Sequence, residues 1–142
     1  RLIERLHRLL LDVIKDEFDR QGGAELNSVQ ALLLYNIGES ELTAGELKTR
    51  GYYLGSNVSY NLKKLVDMGY IHYKRSDTDR RSVRVSLTDK GLDACDVVSK
   101  LYHRQLGSVQ SVGEVNTDDI RGLNKALVRL ERFWSDQIRY RL

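Results

Sequence analysis

The stretch Gly55–Asp67 reads GSNVSYNLKKLVD. At about 100° per residue round a helix axis, Ser56, Asn57, Ser59, Tyr60, Lys63 and Lys64 fall on one side. Val58, Leu62, Leu65 and Val66 fall on the other, as a stripe suited to a core. The polar side is not the alternation of Glu and Lys that a merely solvated helix carries. An asparagine can pair bidentately with adenine, hydroxyls reach base edges or phosphates, and ammonium groups neutralise phosphates. A helix of about 12 residues, about 18 Å long, fits a major groove. A solvated face with incidental lysines is the plainer alternative, and Tyr60 at the centre of the polar side weighs against it. Asn61 sits on the boundary between the two sides and fits either.

A second cluster, SDTDRR, follows at residues 76–81. It puts Arg80 and Arg81 at or near the tip of a hairpin, with Asp77 and Asp79 beside them. An arginine there can enter a narrow minor groove, where the negative potential is enhanced. A neighbouring aspartate can hold the guanidinium through a bidentate pair. An ordinary charged turn is the alternative for this segment alone, but helix and hairpin together bracket adjacent grooves.

These groups need elements to position them. Leu2, Ile3, Leu6, Leu9, Leu10, Val13, Ile14 and Phe18 recur at helical spacing, so a first amphipathic helix is predicted over residues 2 to about 20, closed by Gln21-Gly22-Gly23. Asn27 or Ser28 caps a second helix that stops at Gly38. Thr43-Ala44-Gly45-Glu46 is a capping-box pattern opening a short third helix to Arg50. The fourth covers about Gly55 to Asp67 and ends at Gly69. The period then turns to alternation, and Tyr70–Arg75 and Ser82–Leu87 read as two strands. Thr88 caps a helix through Leu92, Cys95, Val98, Leu101, Tyr102 and Leu106, and residues 107–116 read as a loop. Asn116 or Thr117 caps a last helix, with Asp118 and Asp119 in its first turn.

The predicted order is α–α–α–α–β–β–α–α. The fold class is mainly α with a small β-hairpin wing, a winged helix-turn-helix flanked by long helices at both ends.

Composition narrows the function classes. With 142 residues, 41% hydrophobic and 30% charged, the chain suits one globular domain with a real core. No apolar run approaches the roughly 18 residues of a membrane span. The acid-containing amphipathic start reads as neither signal nor transit peptide. A lone cysteine excludes an internal disulfide and fits a cytoplasmic protein, and three scattered histidines have no metal-ligand spacing. Ten bases against five acids lie between Glu46 and Lys90, whereas the rest of the chain has thirteen against fifteen. Such a concentration of positive charge is the footprint of a polyanion-binding surface. There is no nucleophile–base pair, phosphate-binding glycine loop or placed carboxylate pair, so the chain does not read as an enzyme, and no cofactor or metal is implied.

The residues resemble the MarR family of bacterial transcription regulators over nearly the whole chain, most specifically over residues 42–95. LTAGELKTR is similar to the family's third-helix opening, and SNVSYNLKKLVDMGYI stands where the family has its recognition helix and first wing strand. SDTDRRSVRVSLTDKG is very close to the wing pattern in which Asp-Arg-Arg precedes a strand and then Leu-Thr-x-Lys-Gly. There are departures. Leu54-Gly55 replaces a capping serine and its neighbour, Gly51-Tyr52-Tyr53 replaces a Leu-Gly-aliphatic turn, and Tyr60 stands where many relatives carry arginine. The GYYLGSNVSYNLKKL variant resembles an alphaproteobacterial subgroup linked to cell-wall L,D-transpeptidase genes.

The resemblance implies one domain over 1–142, with a DNA-binding part at 26–90 and dimerisation helices at 1–22 and 91–142. It implies a cytoplasmic homodimer on a pseudopalindromic double-stranded DNA operator, released by a small phenolic or amphipathic effector. The expected DNA-binding set is Thr43, Ser56, Asn57, Ser59, Tyr60, Lys63, Lys64, Arg80 and Arg81, with Asp77 and Asp79 supporting the wing. The expected dimer interface includes Leu6, Leu10, Leu127, Leu130, Phe133 and Trp134. Phe133 and Trp134 side by side exceed what one chain of this size readily buries, and Arg129, Arg132 and Arg139 suit an interface rim. Phe18 and Gln30 are candidate ligand-pocket residues, though a core contact and an interhelical hydrogen bond explain them equally well. Cys95, at helical spacing from Leu92 and Val98, reads as a small buried hydrophobe, with redox sensing as the alternative. The reading from another class is a winged-helix protein-interaction module with sequence-blind DNA binding, which the mid-chain positive charge disfavours.

Overall fold

The computed structural model describes residues 1–22, 25–49, 55–75, 77–78 and 83–141, with the side chains of 44, 48, 49 and 55–57 outside the description. The elements are α1 (Leu2–Arg20), α2 (Ser28–Ile37), β1 (Leu42–Thr43), α3 (Ala44–Thr49), α4 (Gly55–Asp67), β2 (Ile71–Arg75), β3 (Val83–Leu87), α5 (Asp89–Ser111) and α6 (Thr117–Tyr140). The chain divides into two compact units, Arg1–Leu101 and Tyr102–Leu142.

In the first unit, local chemistry sets the element ends. Asn27 caps α2: its Oδ1 accepts from the Gln30 N–H at 2.8 Å, and Gln30 Oε1 accepts from the Asn27 N–H at 3.2 Å. This reciprocal pair satisfies two otherwise orphaned donors. Thr43 Oγ1 accepts from the Glu46 N–H at 3.0 Å and opens α3. At the end of α4 the Tyr70 N–H donates to Leu65 O at 2.8 Å and the Gly69 N–H to Val66 O at 3.0 Å. That pattern needs a left-handed residue between the helix and Tyr70, and Gly69 supplies it with φ +83. Leu33, Leu34, Ile37, Leu42, Leu47, Val58, Leu62, Leu65, Ile71 and Val85 form one buried cluster under helices and sheet.

The predicted order lacks one element. β1, two residues long, joins the hairpin, giving a three-stranded antiparallel sheet in the order β1-β3-β2, with Leu42 opposite Val85 and Thr43 opposite Arg84. Two residues are too few for a period to appear in the sequence. β2 pairs with β3 from Ile71↔Leu87 to Arg75↔Val83.

α5 differs in two ways. It runs to Ser111, so the loop predicted over 107–116 is helical in its first half. Gly107 and the serines suggested a break, but Ser108 Oγ donates to Arg104 O at 3.2 Å and Ser111 Oγ to Gly107 O at 3.2 Å. The hydroxyls bond back to the preceding turn without ending the helix. The buried stripe of α5 is Gly91, Ala94, Val98 and Leu101, whereas Leu92 is exposed.

In the second unit, Asn116 and Asp119 form another reciprocal cap, with bonds of 2.8 and 3.1 Å, and start α6. No described residue of α6 is buried.

Candidate nucleic-acid interface

The two sides of α4 separate as its sequence requires. Val58, Leu62 and Leu65 are buried, while Ser59, Tyr60, Lys63 and Lys64 are exposed. Asn61, on the boundary, is buried. Tyr60 is 62% exposed, and Lys64 Nζ lies 5.9 Å from its ring centroid, the outer limit of a cation–π contact. Phenol and ammonium group therefore form one outward ledge. The side chains of Ser56 and Asn57 lie outside the described residues, although α4 carries both positions.

On the wing, Lys74, Arg75, Asp77 and Arg84 are exposed, whereas Asp79, Arg80 and Arg81 lie outside the described residues. Asp77 borders a cleft of about 310 Å³ with Glu41, Lys74, Arg75, Thr78 and Arg84. Thr43 is half-buried, with its hydroxyl oxygen already accepting the α3 capping bond.

A polar clasp, unforeseen in the sequence, fixes the base of the wing. Tyr70 Oη donates to Glu25 Oε2 at 2.8 Å, and Lys90 Nζ lies 3.0 Å from the same oxygen. Lys90 Nζ also donates to Met68 O at 2.9 Å and stands 4.4 Å over the Tyr70 ring. Thr88 Oγ1 donates to Gly69 O at 2.7 Å while accepting from the Gly91 N–H at 3.1 Å, so one hydroxyl caps α5 and ties it to the end of α4. A Cβ on Gly91 would come 2.2 Å from Tyr70 O, so the backbones approach too closely for a side chain. The Leu-Thr-x-Lys-Gly pattern thus has a physical content: Leu87 fills the core, and Thr88, Lys90 and Gly91 lock wing, α4 and α5 together. The hydrogen bond from Tyr70, and then that from Lys90, holds the Glu25 carboxyl below its usual range. Burial first, and then the bond to Glu25, pushes the Tyr70 phenol up to about 12.

Phe18 packs against the core and borders an open cleft of about 300 Å³ with Leu26, Tyr70, Lys90, Ala94 and Val97 among its walls. Gln30 borders a different cleft of about 570 Å³, with Lys15, Asp19, Tyr60, Lys64 and Met68. The two residues therefore do not share a cavity among the described residues. Cys95 is half-buried against the core, and burial, followed by the charges of Asp96 and Glu39, raises its thiol. A raised thiol holds less of the nucleophilic thiolate.

The remaining candidates lie on the long helices. On α1, Leu6 is exposed and Leu10 half-buried; on α6, Leu127, Phe133 and Trp134 are exposed and Leu130 is half-buried. Among the described residues no helix is long and apolar enough to cross a membrane. Nor do three or more His, Cys, Asp or Glu converge on a metal-sized site among them.

Residues 26–91 match the winged helix DNA-binding domain family. The chain is 37% identical over 143 residues to the exopolysaccharide II synthesis transcriptional activator ExpG of Rhizobium meliloti (strain 1021), covering 99% of this chain and 72% of that protein. In fold it is similar to the transcriptional regulator SlyA, with TM-score 0.79 and 19% identity over 100% of this chain and 97% of that one. It is similar to a mutant MarR from E. coli complexed with operator DNA, with TM-score 0.71 and 20% identity over 92% and 91% of the two chains. It also resembles Streptococcus pneumoniae FabT in complex with DNA, with TM-score 0.69 and 21% identity over 95% and 93%. Sequence pattern, wing topology and relatives agree: the chain belongs to the winged-helix DNA-binding transcriptional regulators, and its fold is that of MarR.

Proposed function

We propose that the protein is a homodimeric, sequence-specific regulator that reads a pseudopalindromic operator in the cytoplasm and is controlled by a small amphipathic or phenolic ligand. The outward face of α4 carries this reading. Ser59, Tyr60, Lys63 and Lys64 stand exposed above a buried apolar row, with no acidic residue among them. Ser56, Asn57, Ser59 and Tyr60 read base edges, Lys63 and Lys64 meet phosphates, and Arg80 or Arg81, steadied by Asp77 or Asp79, enters the minor groove. Thr43 adds a contact at the start of α3. The DNA in the MarR and FabT structures supports the same partner here. The chain is a regulator and not an enzyme.

Dimerisation is supported by each long helix taken alone. α1 exposes Leu2, Ile3, Leu6 and Leu9, and α6 exposes Phe133 and Trp134 at 56% and 55%. Contiguous exposed apolar surface of this kind marks an interaction face. Effector control is supported by the open cleft of about 300 Å³ beside Phe18, where Phe18, Leu26, Ala94 and Val97 supply the apolar lining that a small amphipathic molecule needs.

Selection of bound fragments from a sheared genomic library, at about physiological salt, tests the proposal. Enrichment of an inverted repeat with half-sites about one helical turn apart is the expected result. Recovery of random fragments alone contradicts it and favours a protein-interaction module.

A further inference from the structure

One row of side chains crosses the sheet on the face away from the core. Thr43 of β1 is opposite Arg84 of β3, and Arg84 is opposite Lys74 of β2. The adjacent row, Leu42, Val85 and Tyr73, lies on the other face by strand alternation, and there Leu42 and Val85 are buried. Lys74 and Arg84 are both exposed. Like charges directly opposite one another destabilise an antiparallel pair, so this rung is unfavourable for the sheet by itself. Among the described ion pairs Arg84 has one carboxylate, Glu41, with Nη1 to Oε1 at 4.0 Å and both side chains more than half exposed. An exposed pair at that distance contributes little. Asp77 is the other acid bordering the same cleft.

We propose that Lys74 and Arg84 form a second phosphate-binding rung on the outer face of the wing. They hold the backbone of duplex DNA beside the groove that the wing tip enters, and Arg84 gives up Glu41 on binding. The inference rests on the DNA-binding reading above and extends the contact surface beyond the face of α4 and the wing tip. Opposed residues on neighbouring strands lie about 5 Å apart, within reach of the oxygens of one phosphate or of two in succession. The guanidinium offers a planar fork and the ammonium group a compact point charge, the two donor types that phosphate recognition uses. The rung stands one residue pair below Arg75 and Val83, where the hairpin leads into the tip segment.

The test is fluorescence anisotropy of the full chain on a duplex recovered by the genomic selection, titrated at several salt concentrations. Each change removes two phosphate contacts per dimer, so Arg84→Gln and Lys74→Gln are each expected to reduce the log–log salt slope by about 1.8, and the double change by about 3.6. Glu41→Gln, which removes the competing carboxylate, is expected to tighten binding by about twofold or more. Thermal midpoints no lower than that of the unmodified chain in all four variants establish that the fold is intact, and relief of the Lys74–Arg84 repulsion is expected to raise them slightly. An unaltered slope in the double variant, with Lys64→Ala still lowering it, overturns the wing rung and leaves the α4 reading standing. Loss of salt-dependent binding by the unmodified chain on every duplex overturns both.

Discussion

Tyr60 and Lys64 show how a single helix turn can serve two purposes. Their backbone belongs to a helix held down by Leu62 and Leu65, while the phenol and ammonium group stand in solvent. On the proposed reading Lys64, whose head carries no described ion pair, neutralises one phosphate in each half-site, so Lys64→Ala should reduce the salt slope by about 1.8 per dimer without changing the melting temperature. The Glu25–Tyr70–Lys90 clasp makes a different prediction at this scale. Glu25 is held below its usual range, so its contribution is complete above that range and lost as pH falls through the lowered value. Tyr70 is raised to about 12, so its contribution is complete below the ordinary phenol value near 10 and is lost as pH rises from about 10 to about 12. The stability difference between the unmodified chain and Tyr70→Phe should therefore be flat through neutral pH and shrink at both ends. Thermal melts across pH would check it; a difference independent of pH would place the phenol outside the clasp.

At the scale of elements, two glycines in α5 should respond in opposite senses to the same change. Gly91→Ala places a methyl 2.2 Å from Tyr70 O and 3.1 Å from Leu87 Cβ, so backbone must move, at a cost of about 1–3 kcal/mol or more. Gly107→Ala meets nothing within 4 Å and should stabilise the helix by about 0.5–1 kcal/mol. Denaturant melts of the two variants would test this; equal effects would contradict the close approach at Gly91. The elements were unequally legible. α1, α4 and the hairpin strands repeat their apolar residues often enough to declare a period, α2 is apolar nearly all round, and Asn27, Thr43, Thr88 and Asn116 announce helix starts by their chemistry. β1 is too short for a pattern, and the helical stretch at 107–111 is written in residues that favour loops. The clasp joins Glu25 to Tyr70 across a separation of 45 residues, which no local spacing encodes. Gly91 was visible as part of a motif, but its reason, the carbonyl of Tyr70, appears only in the fold.

At the scale of the whole molecule, charge and apolar surface are allotted to different regions. The bases concentrate between Glu46 and Lys90, the segment carrying α4 and the wing. α6, by contrast, presents Phe133, Trp134 and Ile138 with no described residue buried. In the proposed homodimer a second copy of the chain would cover that helix. Trp134→Glu should then yield a monomer in sedimentation equilibrium at micromolar concentration and weaken binding to an inverted repeat far more than to a single half-site. A dimer of unchanged mass and affinity would remove Trp134 from the interface.

The central claim, that the exposed face of α4 reads bases, is tested most directly by a specificity ratio. Affinities of the unmodified chain and of Ser59→Ala/Tyr60→Ala would be measured on the genomically selected duplex and on a shuffled duplex of equal length and composition. The account expects the selected duplex to lose about 1–3 kcal/mol for each base contact removed, with affinity for the shuffled duplex and the melting temperature unchanged. An equal loss on both duplexes, or none on either, would contradict it.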